Sequence, residues 1–179
     1  MNRLRERALA TGAQSVDVRQ RHGELEETLV EQESGVRLLV LGRRGEAAEA
    51  TQRNIGRNVE RVVRALRKPV LAVTENFRET KRVMFAFDGG IVTRRGIEMV
   101  AASPLFRGLP IHLLMSGKEN RDVLKQLERA KTTLESTGFE VTAALIPGNA
   151  ESIIAKTIHD QSFDLLIMGA YSHSPLPKL

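Results

Sequence analysis

The chain has 179 residues, enough for one ordinary domain or two small ones, and 41% of them are hydrophobic. It contains no cysteine, which excludes disulfides and thiolate catalysis. No apolar run approaches the roughly 18 residues of a membrane span, and no apolar signal core follows the basic start Met1–Arg7. These features predict a cytoplasmic protein with no membrane partner. The formal net charge is +5, which favours polyanions such as nucleotides, nucleic acid or lipid headgroups. The arginines are spread among glutamates, however, and aromatics make up only 4%, which argues against a dedicated nucleic-acid surface.

In chain order, residues 3–10 read as the end of a helix stopped by Gly12. Ser15 to Arg19 alternates apolar and polar residues and is predicted to be a half-buried strand. Residues 25–32 are helical, with Gly35 as the stop. Val36 to Leu41, apolar but for Arg37, reads as a strand covered on both faces. Val59, Val62, Val63 and Leu66 fall on one face of a helix over residues 58–66, which Lys68-Pro69 ends. Val70 to Val73 is a second short strand. The polar stretch from Glu75 to Lys81 reads as a linker.

Beyond it, residues 82–87 form a strand that runs into Asp88-Gly89-Gly90. A helix is predicted from Thr93, its possible cap, to Ala102. A strand follows from Ile111 to Met115. Residues 119–136 make an amphipathic helix with Val123, Leu127, Ala130 and Leu134 inward, closed by Gly138. Residues 141–146 are a strand, 151–159 a helix and 163–168 the last strand. This alternation predicts a parallel, doubly wound α/β sheet.

The order is partly duplicated. Strand Val16–Val18, Gly23, a helix and Arg37–Gly42 match strand Val141–Leu145, Gly148, a helix and Asp164–Gly169, with glycine spacings of 19 and 21 residues. In the first copy, Val40-Leu41-Gly42-Arg43-Arg44-Gly45 is an apolar strand entering a glycine-punctuated loop, and Gly56-Arg57-Asn58 opens a helix. Glycines let backbone amides approach a phosphate, and a helix N-terminus carries unsatisfied N–H groups. Arg43, Arg44 and Arg57 would add charge suited to phosphate oxygens. The plainer alternative is that Gly42 and Gly45 merely turn the chain. Asp88 ends a buried strand at the edge where open α/β sheets bind ligands, and Asp-Gly-Gly is equally strong turn chemistry.

The four histidines, His22, His112, His159 and His173, show no metal-ligand spacing, and no metal is expected. There is no Gly-x-Ser-x-Gly, no Ser/His/Asp arrangement and no Walker lysine, so no catalytic residue is assigned and no enzyme is expected.

The sequence resembles the universal stress protein family in its tandem form. The likeness is carried by Phe85–Asp88, by Gly148–Ile154, by Asp164 to Gly169, by Gly42 to Gly56 with Val59–Val62, and by Pro69–Leu71. The resemblance implies a Rossmann-like fold of the adenine nucleotide alpha hydrolase type, with five strands per unit. It also implies ATP as the ligand, a homodimer or an intramolecular domain pair, and an acidic residue at Asp88 contacting the adenosine part. The family pattern is Gly-x2-Gly-x9-Gly followed by Ser or Thr. Here Gly42 and Gly45 fit, ten residues separate Gly45 from Gly56, and Arg57 replaces the hydroxyl residue. The second copy has Met168 and Gly169, then Ser172 in place of the second glycine.

On this reading, residues 1–76 are the C-terminal part of a first unit. Residues 77–179 are a second unit lacking its last helix and strand, as in a chain trimmed at both ends. The expected function is adenine-nucleotide binding in stress response, exerted by binding and association. The alternatives are a dimerising module that has lost the nucleotide, and an adenylyl- or phosphoryl-transfer enzyme on the same fold.

Overall fold

The computed structural model describes residues 2–42, 57–74 and 76–170. Its elements are α1 (Asn2–Ala10), α2 (Leu25–Gln32), β1 (Leu39–Gly42), α3 (Arg57–Ala65), β2 (Val70–Val73), β3 (Val83–Ala86), α4 (Ile91–Ala102), β4 (Ile111–Ser116), α5 (Arg121–Glu135), β5 (Val141–Ile146), α6 (Ala150–Gln161) and β6 (Leu165–Met168). Among the described residues these form two parallel sheets. One pairs β1 with β2; the other has the order β5-β4-β3-β6. The α/β class and the parallel pairing agree with the sequence reading.

In the first half, β1 and β2 pair from Leu39 with Val70 to Gly42 with Val73. Leu39, Val59 and Val62 are buried there, as the helical stripe on α3 requires. The Glu33 carboxylate accepts the backbone N–H groups of Arg67 and, at 2.8 Å, Lys68, tying the end of α2 to the turn before β2. Arg61 on α3 pairs with Glu26 on α2.

The four-stranded sheet carries the main core. Val83 and Phe85 of β3, and Ile111, Leu113 and Met115 of β4, pack with Ile97 and Val100 of α4 and Leu127, Ala130 and Leu134 of α5. Alternate strand residues point to the other face. There His112 stacks on Phe163, just past α6, with ring centroids 5.5 Å apart. The central strand β3 is therefore covered on both sides, which is why Val83–Ala86 reads as an unbroken apolar run. Asp164 accepts the N–H groups of Lys81 and Arg82 at 3.0 Å each, clasping the start of β3 to the start of β6.

Two expectations fail. Residues 15–19 form no strand. Val16 and Val18 are only half-buried, and Asp17 and Arg19 pair with each other at 2.6 Å on the surface. An alternating pattern becomes a strand only where a neighbouring ladder takes up its backbone groups, and among the described residues none lies beside this one. The cap of α4 is also not Thr93. The helix starts earlier, with Gly90 as its N-cap, and Thr93 is buried in its first turn.

Candidate functional site at the open end of the sheet

The second sheet has one topological switch point. From β3 the chain passes through α4 to β4 on one side, whereas β6 arrives on the other side of β3. Connections diverge there and leave a crevice at the carboxyl ends of the strands, the general ligand position in open α/β sheets. Ala86 pairs with Met168 in register, so Asp88 and Gly169 flank this crevice just beyond the last paired residues.

Asp88 is exposed at the strand end. Its Oδ1 accepts the Gly90 N–H at 2.8 Å and the Thr93 hydroxyl at 2.5 Å. The carboxylate thus folds the turn and anchors the first turn of α4, where a negative group also faces the positive end of the helix dipole. Gly89 has φ +74, and a Cβ there would come within 2.0 Å of the Gln126 Oε1 atom reaching over from α5. The Asp-Gly-Gly turn chemistry read from the sequence is therefore present, and it sets the carboxylate beside the crevice.

Gly169 is placed by close approach. A Cβ on it would lie 3.1 Å from Thr93 Cγ2 and 3.5 Å from Val92 Cγ1. Glycine brings the end of β6 against the first turn of α4, which narrows the crevice. Ile91, at 60% exposure, and Val92 give this rim an apolar surface. Met168 closes β6 and is half-buried.

The structure thus brings Asp88, Met168 and Gly169 together. Gly42 ends β1 in the other sheet and is exposed. Arg43, Arg44, Gly45 and Gly56 lie outside the described residues. Arg57 and Asn58 form the start of α3. Thr93 and Gln126 are the site residues that sequence reading missed. The spacing of Asp88 and Thr93 offered a signal, since an acid two residues before the N-cap can reach a hydroxyl in the first turn. Gln126 had none, because its part depends on how α5 packs.

His112 lies near the start of β4, at the other end of the sheet. Its pKa is lowered by burial and, secondarily, by the positive charge of Arg82. Its Nδ1 lies 2.7 Å from the Thr142 hydroxyl on the neighbouring strand, a structural link rather than part of the crevice. Among the described residues no group of His, Asp and Glu could hold a metal ion, and no helix is long and apolar enough to cross a membrane.

No family model matches the chain. A universal stress protein of Synechocystis sp. is 35% identical over 170 residues, which is 94% of this chain and 59% of that protein. The likeness to a universal stress protein thus runs through nearly the whole of this chain. The chain spans less than two thirds of that relative's length. Among solved structures, a universal stress protein from Archaeoglobus fulgidus superposes on 98% of this chain and 65% of its own, with a TM-score of 0.75 at 16% identity. A Pseudomonas aeruginosa protein classed with the same family covers 99% of this chain and 68% of its own, with a TM-score of 0.67 at 15% identity. At these identities the structural likenesses establish the fold.

Proposed function

We propose that this chain is a universal stress protein that binds an adenine nucleotide, with ATP the expected ligand, and that it acts through binding and association rather than catalysis. The observation that carries the proposal is the placement of Asp88 at the switch-point crevice, beside the glycine-narrowed approach of β6 to α4. A carboxylate accepts hydrogen bonds, so it suits the hydroxyls of a ribose or an exocyclic amine and repels phosphate. The apolar rim at Ile91 and Val92 suits the face of a base. These residues fit the nucleoside part of the ligand. The phosphates would fall to glycines: Gly169 in this half, and the Gly42–Gly56 loop with Arg57 and Asn58 in the other. On this proposal, residues 1–76 and 77–179 act as two tandem units, and association takes the form of a homodimer or an intramolecular pair.

Isothermal titration of the purified chain with ATP, and separately with adenosine, tests the reading. Binding of both is expected. Asp88→Asn should weaken both about tenfold or more, since a hydrogen bond to a charged group contributes about 1.5–3 kcal/mol. Absence of heat and of any thermal shift at millimolar ATP removes the proposal and leaves the dimerising module without nucleotide.

A further inference from the structure

We infer that the outer edge of β5, with the groove between it and α5, is a docking site for an extended acidic segment of a partner protein, added as a further strand. The site is on the far side of β4 from the switch-point crevice and does not depend on nucleotide binding.

The backbone geometry is the first argument. β5 is an edge strand of six residues that pairs only with β4, and among the described residues no strand lies beyond it. The Ile111 N–H donates to the Glu140 carbonyl, and the Gly117 N–H donates to the Ile146 carbonyl. The even-numbered residues of this segment therefore face β4. In a parallel ladder adjacent residues alternate, so Val141, Ala143 and Leu145 turn their N–H and C=O groups outward. Edge strands are commonly blunted by lysine, proline or a bulge. Val-Thr-Ala-Ala-Leu-Ile contains no charge and no proline, and its pairing with β4 runs in unbroken register.

The side chains are the second argument. An open groove of about 630 Å³ lies between this edge and α5. Its floor is apolar: Leu124, 42% exposed, together with Ala143 and Leu145. Its rim carries Arg121, Lys125 and Lys131 against the single carboxylate of Glu128. Lys131 reaches Glu135 at 3.6 Å in a solvent-exposed pair, an interaction of little strength. Arg121 and Lys125 make no ion pair among the described residues. Every second side chain of an added strand would point towards α5, and acidic residues at those positions would reach Arg121 and Lys125 at the rim with their methylene stems over Leu124. The backbone of the added strand would meet the outward groups of Ala143 and Leu145. That is recognition by strand addition, in which main-chain hydrogen bonds supply affinity and alternate side chains supply specificity. The open backbone separates this occupant from a lipid headgroup or a nucleic acid, neither of which satisfies a β-edge.

The test uses the full chain and a fluorescein-labelled peptide of alternating glutamate and valine, about eight residues long, followed by fluorescence anisotropy. Saturable binding is expected, with no binding of the matching lysine–valine peptide. Lys125→Glu should weaken binding about tenfold. Ala143→Pro should do the same, because it removes an outward donor and leaves the β4 ladder intact; circular dichroism checks that this variant is folded. A peptide N-methylated at alternate residues probes the same hydrogen bonds without altering the protein and should bind at least tenfold more weakly. Absence of saturation overturns the proposal. So does equal affinity for the N-methylated peptide, or indifference to Lys125→Glu. Displacement by phosphatidylglycerol vesicles or by polyphosphate as readily as by unlabelled peptide also overturns it, since a generic anion surface would then explain the binding.

Discussion

Residues 15–19 and 141–146 occupy equivalent places in a duplicated order, yet only the second segment is a strand. Val141–Ile146 lies against β4 from Ile111 with Val141 to Ser116 with Ile146, and the backbone groups of every second residue are taken up by β4. His112 adds a side-chain link to Thr142. Residues 15–19 have no such neighbour among the described residues, and the side chains of Asp17 and Arg19 pair with each other instead. The difference is one of tertiary support. Local alternation offers a face to bury, but a strand also requires a partner for every second backbone group. The same contrast separates the sheets. The β1–β2 pair is backed by Leu39, Val59 and Val62, whereas the four-stranded sheet rests on a continuous cluster built from β3, β4, α4 and α5.

Amide hydrogen exchange should separate the two segments most widely. The N–H groups of Thr142, Ala144 and Ile146 should be protected at least about a thousandfold more than those of residues 15–19, an opening free energy of about 4 kcal/mol. Equal protection would mean that residues 15–19 have an unrecognised partner. Next in size is Phe85→Ala, which empties a fully buried position on β3, where a Cβ at Gly96 of α4 would lie 2.9 Å from the ring. It should cost about 3–5 kcal/mol in urea denaturation. A loss below 1 kcal/mol would show that this cluster does not support the ladder that holds β5.

Val141→Ala and Val18→Ala form a matched pair. The first removes buried methyl groups and should cost about 2 kcal/mol, while the second should stay within about 0.5 kcal/mol. Similar costs would erase the distinction between the two segments. The smallest effect concerns pH. His112 is held below its ordinary value of 6.5, first by burial and then by Arg82. Below 6.5 the unfolded chain binds more protons than the folded one, so stability rises with pH across that window. The contribution is complete above 6.5 and is lost as pH falls through the lowered folded value. His112→Gln should flatten that part of the stability profile, and an unchanged profile would remove the histidine from the account.

Much of the fold was legible. Leu25–Gln32, Val70–Val73 and Val141–Ile146 match their sequence boundaries, because glycine, proline or a charged residue brackets each apolar pattern. The start of α4 was misplaced because a threonine in the first turn looks like a cap. Its hydroxyl instead joins the Gly90 N–H on one carboxylate oxygen of Asp88. Asp88 and Gly169 were legible as candidate site residues from their places at strand ends. That they flank one crevice was not, since this depends on β6 pairing beside β3.

The α/β alternation and the helix stripes were readable from the chain alone, because periodicity and punctuation are local properties of the chain. Tertiary structure alone decided which alternating segments became strands and where the switch point fell. It also turned Gln126 towards Gly89 and left the outward edge of β5 beside a cationic groove. Each of these depends on which strands are neighbours, and strand order is set by long-range pairing that local pattern does not encode.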